Sequence, residues 1–143
     1  MATLAASFEK GGPGMARDHL RLDGRIVIVS GAAGGGIGTT ATRMIAEAGA
    51  TVVAVSRNPD NLKRHIDPMM AEGLAVIPVA ADAETDDGIK RALDAAAAAK
   101  GALYGLVNVA GGAAPATWMR STRVTRADWR QLFSQNLESM FFM

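Results

Sequence analysis

The chain contains no cysteine at all. That excludes disulfides, thiolate metal sites and a cysteine nucleophile. Charge of either sign is not in excess: fifteen basic and fourteen acidic residues leave a net charge of +1. No Lys/Arg cluster stands out, so the basic face that grips nucleic acid is not expected. Aromatics are scarce, with one tyrosine (Tyr104) and two histidines (His19, His65) that stand apart. Their isolation gives no metal-ligand spacing and no metal site. No run of 18 apolar residues occurs, so no membrane span is expected. The first residues carry neither a basic opening nor an apolar core of a secretory signal. Met1 to Leu20 reads as a flexible tail with Met15 as an alternative start, and the cytoplasm is the expected location.

What is abundant is alanine (28 residues) and glycine (16) among 143 residues. Such a length suits one domain, here residues 21–143. Arg25-Ile26-Val27-Ile28-Val29-Ser30 is a near-continuous apolar run, the mark of a parallel strand buried on both faces. Thr51 to Ser56 repeats the pattern. Leu74 to Ala80 does so with Pro78 inside it, which places that strand near an edge. Gly105 to Ala110 is a fourth strand. Between them fall helices over Thr39–Ala48, from the Asn58-Pro59 cap to about Ala71, and from Thr85 to about Lys100. A last helix opens at Thr125-Arg126-Ala127-Asp128, a capping box with Asp for Glu, and runs to Met143. The Ala95–Ala99 run reads as a helix face packed closely on a sheet. Trp129 is expected in the core, the eight methionines in packing, and His65 on the surface. The alternation gives an α/β fold: a Rossmann-like, doubly wound parallel sheet of about four strands and four helices.

Ser30-Gly31-Ala32-Ala33-Gly34-Gly35-Gly36-Ile37-Gly38 lies between the first strand and the first helix. A glycine loop there lets backbone approach a pyrophosphate, and the helix start offers free N–H groups. Gly31 to Gly36 has P-loop spacing, but Ile37 and Gly38 stand where Lys and Ser/Thr are needed, so nucleoside triphosphate hydrolysis is not expected. G-x-G-x-x-G fails as well, because Thr39 occupies its last position. The end of the second strand is where NAD-binding domains place a carboxylate for the ribose 2′-hydroxyl. Here it is Ser56 followed by Arg57. Serine and guanidinium accept a 2′-phosphate, so NADP is expected as the cofactor, ahead of NAD. The alternative for Arg57 is a solvated residue before the Asn58 cap.

Asp23 to Gly31, with Gly36-Ile37-Gly38, resembles the opening of the classical short-chain dehydrogenases/reductases, whose loop is T-G-x-x-x-G-x-G. This chain has Ser30 for the threonine and one additional residue between Gly31 and Gly36. The resemblance extends over Leu20 to Met143. It implies that Asp82 contacts the adenine ring, though a strand-end turn residue is the alternative. Asn108-Val109-Ala110-Gly111 is similar to the family's N-N-A-G, which implies that Asn108, Ala110 and Gly111 support and line the cofactor site. Asn136 matches the helix asparagine of the catalytic tetrad; a capped or solvated helix asparagine is the alternative.

The family's chemistry is hydride transfer between nicotinamide and a carbonyl or alcohol carbon, with a serine, a tyrosine and a lysine four residues after it. Tyr104 is followed at that spacing by Asn108, so no Tyr-x-x-x-Lys is present. The resemblance thus implies the NADP-binding portion of an oxidoreductase, inactive as this isolated chain, acting on a small carbonyl or alcohol when completed. A non-catalytic dinucleotide-binding or interaction module is the alternative. The apolar end Met140-Phe141-Phe142-Met143 and a fourth strand left at an edge imply self-association or a covering second chain. The loop Gly112–Val124, with Trp118 and Met119, is a candidate border of a substrate cleft.

Overall fold

The computed structural model describes residues 20–112 and 120–143. Trp118 and Met119 lie outside them. Four parallel strands form one sheet: β1 (Arg25–Ser30), β2 (Thr51–Ser56), β3 (Val76–Ala80) and β4 (Ala102–Asn108), in the order β3-β2-β1-β4. Both edges agree with the sequence reading. Pro78, which cannot donate to a ladder, sits on edge strand β3.

The helices are α1 (Ile37–Glu47), α2 (Pro59–His65), α3 (Asp67–Ala71), α4 (Asp86–Ala98), α5 (Arg126–Phe133) and α6 (Ser139–Phe142). The central strands alternate their side chains between two cores. Val27, Val29, Val52 and Ala54 pack against α1, α2 and α3 through Ala46, Leu62, Ile66 and Met69. Ile26, Ile28, Val53 and Val55 pack against Ala92 and Ala96 of α4. Each of these two strands is therefore buried on both faces, which is why its sequence shows no alternation. Alanine on α4 brings that helix close to the sheet, and Ala92 is fully buried.

Several caps form as the sequence predicts. Asn58 Oδ1 accepts from Asp60 N–H and Asn61 N–H at the start of α2, with Pro59 at its first position. Thr125 and Asp128 close a reciprocal capping box. The hydrogen bonds from Thr125 hold the Asp128 carboxyl below its ordinary value.

Other expectations need correction. The helix expected from Pro59 to Ala71 is two helices, broken at Ile66. Pro68 has no N–H with which to continue the first ladder, and Ile66 is fully buried at the break. β4 begins at Ala102, not Gly105, so Tyr104 lies inside the strand. The turn glycine is Gly101, at φ +137°. The register slips beside Tyr104, where Ile26 pairs with Leu103 and Val27 with Gly105. The Tyr104 ring lies under the Arg25 guanidinium, 4.8 Å from it. The last helix runs on to Phe142 as expected, but with a π-helical turn, Ser134–Glu138, inside it between α5 and α6. Trp129 is not core but 57% exposed, stacked on Phe133 at 4.4 Å. Met69 is buried, but Met44, Met70 and Met140 are exposed. His65 is half-buried, not on the open surface.

The ends of β1 and β4 are locked together through Gly31. Val109 N–H and Ala110 N–H both donate to Ser30 O, at 2.9 and 3.0 Å. Gly31 takes φ +75°, and a Cβ there would stand 2.5 Å from the Ala110 nitrogen. A side chain at Gly38 would run into the Gly31 carbonyl, and one at Gly88 into the Asp82 carbonyl. Gly34, by contrast, has an ordinary φ and open space around it. Gly31→Ala is therefore expected to lower stability by at least ~2 kcal/mol, from left-handed strain plus a backbone clash. Gly34→Ala is expected to stay within about 0.5 kcal/mol. Urea denaturation of both variants checks this; equal effects would contradict it.

Candidate functional site

A cleft of about 560 Å³ opens where β1, β2, β3 and β4 end. It is lined by the loop after β1, the Ser56–Asn58 turn, the Ala81–Glu84 turn and Val109–Gly111. These segments follow the carboxyl ends of all four strands. The chain leaves β1 for a helix on one face, whereas β4 is reached through α4 on the other. The cleft thus sits at the switch point of the sheet, where open α/β sheets bind their ligands.

The glycine loop forms one wall. Gly36 caps α1 without any side-chain hydrogen bond, and the first turn holds no acidic residue. The first helical bond runs from Thr40 N–H to Gly36 O at 3.1 Å. The amides before it have no helical acceptor and suit an anion. Around Gly36, as around Gly34, the space that a Cβ would take is open. Gly35 takes φ +77°, its N–H donates to Thr39 Oγ1 at 2.9 Å, and the His65 imidazole stands behind it. The six-residue span from Gly31 to Gly36 is thus held by a left-handed glycine at each of two positions. That span, the bare helix start and the cleft's size together fit a dinucleotide's pyrophosphate.

The opposite wall carries the charge. Arg57 extends from the end of β2, with Nη1 3.3 Å from Glu84 Oε1. Ser56 Oγ accepts from Asn58 N–H at 3.3 Å, which stiffens the turn. Asp82 Oδ1 accepts from Glu84 N–H at 3.0 Å. Asp82 is therefore a turn residue and a cleft-lining residue at once.

Of the residues singled out from sequence, Gly31, Gly36, Ile37, Gly38, Ser56, Arg57, Asp82, Ala110 and Gly111 meet at this cleft. Ser30 and Asn108 do not line it. Ser30 is buried beneath the loop, its carbonyl clamping β4. Asn108 Nδ2 donates to Met140 O at 3.1 Å and ties β4 to α6, while its Oδ1 is buried without a partner among the described residues. Asn136 lies behind Gly111–Gly112. Its Oδ1 accepts from Gly112 N–H at 2.6 Å, and its Nδ2 donates to Gly112 O and Leu132 O, each at 2.9 Å. Taking the Leu132 carbonyl competes with the helical ladder inside the π-turn. A Cβ on Gly111, at φ +145°, would meet Asn136 Oδ1. Glu84, Asn61, Gln135 and Ser139 line the cleft but were not singled out. Glu84 lies two residues past Asp82, and Gln135 adjoins Asn136, so proximity in sequence was their one available signal.

Among the described residues, no group of three His, Cys, Asp or Glu is placed to hold a metal ion. No helix among them is long and apolar enough to cross a membrane.

Residues 25–143 match the family model described as short chain dehydrogenase. The chain is 32% identical over 126 residues to the 7alpha-hydroxysteroid dehydrogenase of Escherichia coli (strain K12), covering 88% of this chain and 48% of that one. A 7α-hydroxysteroid dehydrogenase solved with NADH and 7-oxo glycochenodeoxycholic acid superposes with a TM-score of 0.76 at 30% identity, over 87% of this chain and 47% of that one. A gluconate 5-dehydrogenase from Burkholderia cenocepacia J2315, solved with NADP and tartrate, gives 0.70 at 34% identity, over 88% and 48%. The chain spans 29% to 48% of the length of its curated relatives. With the fold, the switch-point cleft and the glycine loop in agreement, the chain belongs to the short-chain dehydrogenase family.

Proposed function

We propose that this chain is the NADP(H)-binding portion of a short-chain oxidoreductase that acts on a small carbonyl or alcohol compound. The observation that carries this reading is the convergence of the glycine loop, Arg57, Asp82 and Ala110–Gly111 on one cleft. The amides at the start of α1 would hold the pyrophosphate, and Ser56 and Arg57 the 2′-phosphate. Asp82 would face the adenine. Ala110 and Gly111 would line the far end, with Asn108 and Asn136 supporting that loop from behind. NADP(H), when bound, supplies hydride exchange at its nicotinamide. Asn136 is the member of the catalytic set that we assign here, and its amide fixes the Gly112 backbone beside the cleft. The 143 residues contain no Tyr-x-x-x-Lys to move the substrate proton. The isolated polypeptide is accordingly expected to bind cofactor and to reduce no carbonyl. The cytoplasm is kept as the proposed location.

Fluorescence titration of the full chain is expected to give tighter binding of NADPH than of NADH. Arg57→Ala should weaken NADPH roughly ten- to a hundred-fold, the loss of a charge-assisted contact, and change NADH by less than about three-fold. Equal affinities that the substitution does not alter would overturn the NADP assignment.

The partner reading rests on exposed apolar surface. Leu103, Tyr104 and Leu106 on β4 are exposed, as are Phe133, Leu137, Phe141 and Phe142 on the last helical segment. We propose that self-association or a second chain covers these faces. Sedimentation velocity of the isolated chain is expected to show species larger than a monomer. A monodisperse, cooperatively melting monomer would contradict this.

A further inference from the structure

Arg57 does not face the cleft alone. Its ion pair with Glu84 joins two loops that lie 27 positions apart in sequence. Both residues line the cleft.

The carboxylate is the better-fixed partner of the two. Glu84 N–H donates to Asp82 Oδ1, and Thr85 N–H donates to Asp82 O at 3.1 Å. Thr85 Oγ1 also caps α4 by accepting from Gly88 N–H at 3.1 Å. The Glu84 side chain is 28% exposed, against 62% for Arg57. Glu84 thus rides on a turn pinned to a helix start, and the guanidinium reaches over to it. Asp82 adds a second carboxylate to the same stretch of wall.

This arrangement treats two adenine nucleotides differently. A phosphate dianion on the ribose must share Arg57 with Glu84 and approach its negative charge. A ribose hydroxyl meets no such repulsion, and a carboxylate can accept its hydrogen bond.

We propose that Glu84 is a specificity-determining residue that opposes Arg57, limiting how strongly the cleft prefers a 2′-phosphorylated adenine nucleotide over an unphosphorylated one. The proposal rests on the reading that this cleft takes the adenosine end of NADP through Arg57.

Calorimetric titration of the full chain with adenosine 2′,5′-bisphosphate and with 5′-AMP tests it, because both probes need only the adenosine end. Glu84→Gln is expected to tighten the bisphosphate roughly three- to ten-fold and to leave 5′-AMP within about two-fold. The gain should shrink as salt is raised, and shrink in an Arg57→Ala background. A thermal melt of each variant confirms that it is folded. Unchanged or weaker bisphosphate binding in Glu84→Gln would overturn the proposal; if Arg57→Ala still weakens the bisphosphate, the cofactor reading stands without it. An equal gain for both probes, or one undiminished without Arg57, would also overturn it. Binding of neither probe to the wild-type chain would remove the cofactor reading and this proposal together.

Discussion

The close approach of two backbones at the end of the sheet is the constraint on which the site depends. Gly31 passes so near Ala110 that no Cβ fits between them. Ser30 O is shared by Val109 N–H and Ala110 N–H, and Val55 O is shared by Gly31 N–H and Ala32 N–H. These paired bonds fix the loops after β1 and β4 against each other and against β2. The same contact sets where α1 begins, since Gly38 must in turn slip past the Gly31 carbonyl. The cleft is what remains when these loops part toward opposite faces of the sheet.

Elsewhere the cleft is held by single polar side chains. Ser56 stiffens the turn before α2, Asp82 the turn before α4, and Asn136 the loop after β4. Each uses a small polar side chain to satisfy backbone groups that the strand ends leave free. Asp82, which the family resemblance reads as an adenine contact, is thus also structural. A substitution at Asp82 would disturb the Glu84 backbone, and with it the partner of Arg57.

Much of the fold was legible because its causes are local. The runs Arg25–Ser30 and Thr51–Ser56 need burial on both faces, and the Asn58-Pro59 and Thr125–Asp128 caps are closed within one turn. The edge position of β3 followed from Pro78 alone. Most of what failed depended on distant partners. Gly105 looks like a strand breaker, yet pairing with Val27 carries β4 through it. Trp129 and Phe133 have the spacing of a core-facing stripe, but no described element covers that face. The break at Ile66 has a local cause, since Pro68 marks it in the sequence. The π-turn needed knowledge that Asn136 reaches Gly112, 24 residues back.

The site divides in the same way. Glycines after a strand and before a helix locate the glycine-loop wall of the cleft from sequence. The Arg57–Glu84 pair could not be read, because two loops must first be folded side by side. The central proposal is that one cleft at the switch point receives NADP. The most direct test is an amide-resolved NMR titration of the isotope-labelled chain with NADP. The largest shifts are expected on Gly31–Gly38, Arg57–Asn58, Asp82–Glu84 and Ala110–Gly111. Shifts confined to other surfaces, or none at saturating cofactor, would contradict it.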